Sequence, residues 1–188
     1  DMDDATDARV AAAVSRCLEG GINVIDSAAN YRRERGERSV GHALAGAFAD
    51  GVVARDEVVI CTKGGFLPHG AGWFNETFVA DPDSAVGAAD LAGNSHCMHP
   101  DYLTHQLEQS RRNLGLETID VYYIHNPESQ LGAVDRETFD ERLGAAFRML
   151  EGAVADGRIR AYGLATWNGL RVPPDEKGHV SLARAKAL

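Results

Sequence analysis

Residues 21–31 read GINVIDSAANY, an apolar run that ends at Asp26 and is followed by Tyr31. The β-branched residues of the run predict a buried strand over residues 22–26. An ionisable side chain at the carboxyl end of such a strand, followed within a few residues by a tyrosine, indicates a site at one mouth of a barrel or sheet. The competing interpretation is a strand whose last carboxylate only caps a helix, with the tyrosine packed in a loop.

Apolar patterning outside this stretch predicts an alternation of strands and helices. Further strands are predicted over residues 58–62, 119–124 and 160–166. Apolar positions at helical spacing predict helices over residues 5–19, 38–49, 101–114 and 138–156, and another from residue 181 onward. Such alternation favours parallel pairing through right-handed crossovers, so the fold class is predicted to be α/β. No glycine-rich phosphate loop follows any of these strands, which disfavours a Rossmann dinucleotide fold.

Composition and net charge disfavour some classes of binding partner. The chain has 188 residues, a length that favours one domain, and its net charge of −9 is spread along it. Such a charge disfavours nucleic acid and anionic membrane as partners. No run of 18 apolar residues occurs, so no membrane span is predicted, and the acidic start does not resemble a signal peptide. The three cysteines are too well spaced for a disulfide framework, which predicts a cytoplasmic location.

Three of the four predicted strands end in an ionisable side chain, Asp26, Lys63 or His125. In a barrel the carboxyl ends of the strands converge on one face, where they build the site. A lysine ammonium lowers the pKa of a neighbouring phenol such as Tyr31, and an aspartate holds that lysine in place. A neutral histidine can donate a hydrogen bond to a substrate carbonyl. Each residue alone has a structural interpretation, but their joint placement at successive strand ends favours a proton-transfer site.

Four segments together resemble the aldo-keto reductase family. GINVIDSAANY (21–31) resembles the family's G-[IV]-N-x-x-D-[ST]-A-x-x-Y signature, and VVICTKGG (58–65) resembles the strand that carries its lysine. LEQSRRNLGLETIDVYYIHNP (107–127) is similar to the segment that carries its histidine, and GRIRAYGLAT (157–166) to its G-K-[IV]-R-x-[IV]-G-V-S segment. The resemblance implies a (β/α)8 TIM barrel that uses NADP(H), with NAD(H) left as an alternative.

The resemblance also implies a reaction and its catalytic residues. Hydride would pass from the nicotinamide to the carbonyl carbon of a small-molecule aldehyde or ketone, and Tyr31 would protonate the oxygen. Lys63 and Asp26 would tune Tyr31, and His125 would orient the carbonyl. The substrate is expected to contact Tyr31, His125 and two tryptophans, Trp73 and Trp167.

The chain departs from the family pattern around the cofactor. The serine and asparagine that hold the nicotinamide carboxamide in the family are replaced by Ala165 and Thr166. Thr166 and Asn168, together with Asp26, are therefore the expected cofactor-binding residues. No metal site is predicted, because the cluster of histidines and cysteine at residues 96–99 lacks a fourth ligand for zinc.

Length is the largest departure. A closed barrel typically needs about 250 residues, and the four strands here match barrel strands two to five. Residues 1–188 are therefore predicted to form one partial-barrel domain, with 64–100 a long loop at the catalytic face. The rest of the barrel would come from residues outside the chain or from another chain. The alternatives are a non-catalytic or partner-completed interaction subunit on the same scaffold, and a barrel hydrolase that uses Asp26 or His125 as base.

Overall fold

The computed structural model describes residues 2–188 and contains a four-stranded parallel sheet. The strands are β1 Val24–Asp26, β2 Val59–Gly64, β3 Ile119–His125 and β4 Ile159–Ala165. They pair in chain order, β1-β2-β3-β4, so each strand lies beside its neighbour in sequence. Between them run the helices that the parallel connections require. The predicted α/β class is confirmed, and the architecture is that of a partial barrel.

The main helices are α1 Asp4–Glu19, α2 Arg35–Ala49, α4 Pro100–Leu114 and α5 Arg136–Ala155, and the short ones are α3 Gly70–Phe74 and α6 Leu182–Ala185. Their ends follow from local chemistry. The Asp3 carboxylate caps α1 by accepting a hydrogen bond from the Thr6 amide, and Asp135 caps α5 through the Thr138 amide. Gly115 ends α4 in the left-handed conformation that favours glycine.

The hydrophobic core lies between the outer face of the sheet and α2, α4 and α5. Its fully buried members alternate along the strands and share one face of each helix: Leu44, Ile60, Leu103, Leu107, Tyr122, Ile124, Leu143 and Leu150. Burial of these side chains supplies the driving force for folding, at about 1.5–3 kcal/mol for each large aliphatic residue. No helix within residues 2–188 is long and apolar enough to cross a membrane.

The inner face of the sheet is open, which corrects the expectation of a buried strand over residues 22–26. The strand spans only Val24–Asp26, and the side chains of Ile22 and Val24 are each 58% exposed. β1 is an edge strand, and among residues 2–188 no layer covers the concave side to which Val24 and Val59 point. Burial in the core is therefore confined to the helix-facing side chains.

The segment between β2 and α4 is more ordered than its composition indicates. It contains α3, a π-helical turn over Asn75–Val79 and a 3-10 turn over Ala88–Asp90. A second apolar cluster holds it together: Phe74, Phe78, Val86, Cys97 and Tyr102. The Cys97 amide donates to the Gly65 carbonyl, so the two ends of the segment meet beside the end of β2. The long loop is thus a packed lobe.

Gly41 and Gly46 both lie on α2 and provide a matched test of the packing of α2 against α4. A Cβ added at Gly41 would lie 2.3 Å from the Asn113 carbonyl oxygen, whereas one at Gly46 would meet nothing within 4 Å. We expect Gly41→Ala to lower the free energy of unfolding by about 1–3 kcal/mol, because α2 must move away from α4. Gly46→Ala should raise it by roughly 0.5–1 kcal/mol, because alanine favours a helix interior. Urea denaturation measures both, and equal effects would contradict the close contact between α2 and α4.

Candidate active site

The register of the sheet brings the strand-end residues to one face. Asp26 pairs with Cys61 of β2, Lys63 pairs with Tyr123 of β3, and His125 pairs with Ala165 of β4. Because side chains alternate along a strand, Asp26, Lys63 and His125 all point to the inner face at the carboxyl edge of the sheet. The predicted convergence of these three side chains is therefore seen in the structure.

Lys63 is the centre of the cluster. Lys63 is only 7% exposed, and its Nζ donates to Asp26 Oδ2 at 2.8 Å and to the Ser27 carbonyl oxygen at 2.7 Å. The same Nζ lies 5.2 Å from the centre of the Tyr31 ring. A buried ammonium with a carboxylate on one side and a phenol on the other is electrostatically coupled to both.

Tyr31 is held by the turn that leads into α2. Its amide donates to the Ala28 carbonyl, and its carbonyl accepts from the Gly36 amide. The three residues that follow have positive φ angles of 51°, 51° and 69°, a conformation that is costly outside glycine. Ion pairs from Arg32 and Arg35 to Asp7 of α1 brace this turn. The Tyr31 side chain remains 44% exposed on the open side, where a substrate can reach it.

His125 completes the group. Its ring centroid is 5.8 Å from that of Tyr31 in an edge arrangement, and the residue is 6% exposed. Burial lowers the pKa of His125 to about 4, and the positive charge of Lys63 adds to this, while Asp26 opposes it. Its imidazole is therefore neutral at pH 7. Among residues 2–188 its buried Nδ1 has no hydrogen-bond partner. A neutral ring of this kind carries one N–H, which can be donated to a carbonyl oxygen.

A cleft of about 440 Å³ opens beside this group. It is lined by Val24, Asp26, Cys61, Lys63, Tyr123, Leu164, Ala165, Thr166 and Leu170. Of the residues predicted to bind cofactor, Asp26 and Thr166 share the cleft. Asn168 does not line it, and the amides of Trp167 and Asn168 donate to Glu128 Oε1 at 2.9 and 3.4 Å.

The two tryptophans predicted to contact substrate occupy different surroundings. Trp73 packs in the loop lobe, where its ring neighbours are His69, Phe78 and His105. Trp167 follows β4 and is 75% exposed. Neither is among the ring contacts of Tyr31 or His125, so both roles remain predictions.

Two loop residues near His125 were not assigned to this site from the sequence. The Phe66 ring lies edge-on to the rings of both His96 and His125, at centroid distances of 4.9 and 5.1 Å. His96 is completely buried behind His125. A signal was present in the Gly64-Gly65 pair, because Gly65 has a φ of +124° and a Cβ there would lie 2.6 Å from His96 Nε2. Within residues 2–188 no group of three or more His, Cys, Asp or Glu side chains is placed to hold a metal ion.

The arrangement has the parts of a proton-transfer site. A phenol stands within the field of a fixed positive charge, which stabilises the phenolate left when a proton departs. A neutral imidazole beside it supplies a hydrogen-bond donor. Both lie beside the lysine–aspartate pair, and that pair lines an open cleft. Such a set can protonate an oxygen atom that gains negative charge during reaction.

Comparison with known proteins agrees with the resemblance carried by the sequence motifs. The sequence model described as "Aldo/keto reductase family" matches residues 2–172. A D-threo-aldose 1-dehydrogenase of a Pseudomonas species is 28% identical over 163 residues, which cover 82% of this chain and 43% of that protein. A 6-dehydroglucose reductase of Agrobacterium fabrum is also 28% identical, over 87% of this chain and 46% of the relative. The chain thus spans less than half the length of these curated relatives.

Solved structures show the same likeness. The crystal structure of a Bombyx mori aldo-keto reductase in complex with NADP superposes with a TM-score of 0.55 and 25% identity. The match covers 84% of this chain and 40% of that one. A Bacillus halodurans aldo-keto reductase in its holo form gives a TM-score of 0.56 at 21% identity, over 83% and 40% of the two chains. The strands and helices described above thus correspond to part of a larger barrel.

The buried histidines predict how stability changes with acid. The pKa values of His96 and His125 are lowered from 6.5 to about 4, so between these values the unfolded chain binds more protons than the folded one. The free energy of unfolding should therefore fall as the pH drops from about 7 to about 4, by up to about 3 kcal/mol for each histidine. Burial raises the pKa of Glu37, and this carboxyl opposes the trend. The measurement is urea denaturation across this range of pH.

A variant isolates the contribution of His96. In His96→Gln the fall in unfolding free energy between pH 7 and pH 4 should shrink by up to about 3 kcal/mol, because one titrating group is gone. His42→Gln, at an exposed position on α2, controls for the loss of a histidine. Equal changes in the pH dependence of the two variants would contradict the account.

Proposed function

Because the chain belongs to the aldo-keto reductase family, we propose that it carries the catalytic centre of a carbonyl reductase that uses a nicotinamide cofactor, NADP(H). The observation that supports this most directly is the meeting of Asp26, Tyr31, Lys63 and His125 at the carboxyl edge of the sheet. Their identities and chain order match the family's motifs, and two of them, Asp26 and Lys63, line the open cleft.

In this proposal Tyr31 is the proton donor. As hydride adds to the carbonyl carbon, negative charge develops on the carbonyl oxygen, and the Tyr31 hydroxyl gives that oxygen its proton. Lys63 stabilises the phenolate that remains, since its ammonium lies 5.2 Å from the ring centre. Asp26 holds Lys63 in place through the 2.8 Å ion pair. A proton from solvent then restores the phenol.

His125 takes the second role at the oxygen. Its pKa is lowered to about 4, so at pH 7 it does not compete with Tyr31 as a proton donor. We assign it the hydrogen bond that orients and polarises the carbonyl before hydride arrives. Tyr31 and His125 thus take different roles at the same oxygen atom, one as proton donor and one as hydrogen-bond donor.

The proposed cofactor supplies the hydride, and the cleft beside Lys63 is where we place its nicotinamide. The residues there fit such a group in part: Thr166 offers a hydroxyl at the rim and Asp26 a carboxylate. Ala165 offers no side-chain hydrogen bond where the family pattern has a serine. Asn168 does not line the cleft in the structure, and its proposed role requires its side chain to turn toward the cleft. The NADP in the Bombyx mori relative supports NADP(H) as the cofactor, with NAD(H) as the alternative.

The substrate proposed is a small aldehyde or ketone. Curated relatives are named for an aldose and for a dehydroglucose, which favours sugar-derived carbonyl compounds. Trp73 and Trp167 are proposed to border the substrate, one from the loop lobe and one from the rim after β4. The three cysteines, all unpaired in the structure, favour a cytoplasmic location.

The alternative proposal is an interaction subunit whose inner face is completed by a partner. Its support is the open concave side, where Val24 is 58% and Val59 38% exposed. In that case residues 1–188 would act as a partial-barrel domain that binds its complement without turning over a substrate. The set of four side chains favours the reductase, because an interaction subunit has no need of a buried lysine paired with an aspartate beside a tyrosine.

The decisive variant is Tyr31→Phe, which removes the proton and keeps the ring. We expect kcat for NADPH-dependent reduction of a panel of aldehydes and aldoses to fall by about 10²–10⁴, the usual worth of a positioned proton donor. The binding of NADPH, measured by the quenching of tryptophan fluorescence, should change little.

Tyr162→Phe is the matched control. Tyr162 lies on β4, and its hydroxyl bonds Glu151 outside the cleft, so the loss of this hydroxyl should leave kcat unchanged. If Tyr31→Phe retains the activity of the parent, the assignment of the proton donor is wrong. NADPH binding without any turnover by the parent protein would favour the interaction subunit.

A further inference from the structure

A second histidine, His96, lies directly behind His125 and belongs to none of the roles above. It comes from the loop lobe, is 0% exposed, and its Nε2 is 2.8 Å from the backbone carbonyl oxygen of His125. Phe66 stands edge-on to both imidazole rings. Burial of an ionisable side chain costs free energy. A buried histidine that contacts the backbone of a site residue is therefore a candidate for a role beyond packing.

The side chains around His96 decide which of its nitrogens carries the proton. Arg142 can only donate, and it donates to Gln130 Oε1, so the amide nitrogen of Gln130 must face the other way. That nitrogen lies 2.9 Å from His96 Nδ1 and 3.1 Å from the His96 carbonyl oxygen. Because an amide N–H donates, Nδ1 accepts, and the single proton of the neutral ring sits on Nε2. His96 therefore donates Nε2–H to the His125 carbonyl.

The backbone is shaped to admit this contact. Gly65, with its φ of +124°, leaves the space in which the His96 ring approaches the end of β3. Gln106 of α4 fixes this corner by accepting from the Gly65 amide at 2.7 Å and donating to the Phe66 carbonyl at 2.8 Å. The Cys97 amide donates to the Gly65 carbonyl. The backbone next to the His96 ring and the residue that follows His96 are thus both fixed by hydrogen bonds.

The carbonyl that His96 binds lies at a strained junction. Asn126, the next residue, has φ 45° and ψ 61°, a left-handed conformation that is uncommon outside glycine. The turn here directs the chain from β3 into a 3-10 helix, and the Asn126 amide donates to the Ala165 carbonyl at the end of β4. A hydrogen bond at the His125 carbonyl limits rotation of the peptide plane that precedes the strained residue, and hence of the His125 side chain.

We propose that His96 is a positioning residue for the proposed reductase, which holds His125 in place through its Nε2–H bond to the His125 carbonyl and has its tautomer set by Gln130 and Arg142. This inference rests on the proposed function, because it assigns His96 to the orientation of the group that binds the substrate carbonyl. The burial that lowers the pKa of His96 to about 4 keeps the ring neutral at pH 7, with one donor and one acceptor.

The first test needs no activity. In the protein labelled with ¹⁵N, imidazole NMR spectra at pH 7 should show His96 protonated at Nε2 and free of a proton at Nδ1. In Gln130→Leu, which removes the donor to Nδ1, the His96 resonances should become those of a mixture of tautomers, and the His125 resonances should shift with them. A wild-type His96 protonated at Nδ1, or charged at pH 7, overturns the proposal.

The second test is kinetic and uses a pair of variants. His96→Leu removes the donor and should lower kcat for NADPH-dependent carbonyl reduction by about tenfold, since a lost contact that lets a catalytic group drift costs rate. NADPH affinity should change by less than about twofold, because His96 does not line the cleft. His96→Gln keeps an amide N–H near the place of Nε2 and should recover most of kcat, to within about threefold of the parent.

Phe139→Leu, a core substitution on α5, controls for a loss of stability that leaves His125 in position, and it should leave kcat unchanged. An unchanged kcat in His96→Leu, or an equal loss in the leucine and glutamine variants, overturns the positioning role. If the parent protein reduces no carbonyl compound, the proposed function fails by itself. The NMR spectra of the parent and Gln130→Leu then still decide whether His96 orients His125.

Discussion

A buried ammonium at the end of β2 is the constraint on which the candidate site depends. Lys63 is 7% exposed, and the effective cost of burying an unpaired charge is several kcal/mol. That cost is offset only while Asp26 and the Ser27 carbonyl stay within hydrogen-bond distance, at 2.8 and 2.7 Å. The contact requires β1 and β2 to be neighbours, parallel and in the observed register. The sheet and the charge pair thus depend on each other.

The same charge organises the groups around it. Tyr31 is brought over Lys63 by a turn with three left-handed residues, and ion pairs to α1 brace that turn. His125 is kept neutral mainly by burial, and the Lys63 ammonium adds to this because it disfavours a second positive group nearby. One buried lysine therefore places the phenol in a positive field and helps burial to keep the neighbouring imidazole neutral.

The local parts of this arrangement could be predicted from the sequence because each has a short-range signal. Apolar runs and helical spacing identified all four strands and the main helices, and Asp26, Lys63 and His125 were recognisable as strand-end residues. The exposure of Val24 was not predicted, because an apolar run carries no information about which face of an edge strand is covered. The start of α2 at Arg35 was missed for a similar reason, since the charged run RRER resembles a loop.

Features that depend on long-range geometry could not be read from the sequence. The order in the loop lobe arises from aromatic packing between Phe74, Phe78 and Tyr102. No regular spacing of apolar residues in the sequence predicts it. The contact of His96 with His125 joins residues from two segments, and the tautomer of His96 depends on Gln130 and Arg142 farther along the chain. Thr166 and Asn168 were equivalent candidates in the sequence. The structure separates them, because only Thr166 lines the cleft.

The most direct test of the central claim is a double-mutant cycle on the lysine–aspartate pair. It measures kcat for NADPH-dependent carbonyl reduction in the parent, Lys63→Met, Asp26→Asn and the double variant. If Asp26 acts by holding Lys63 against Tyr31, its substitution should cost rate in the parent and almost none once Lys63 is gone, so the two losses are strongly non-additive. Losses that simply add, or a parent rate untouched by Lys63→Met, would contradict the account.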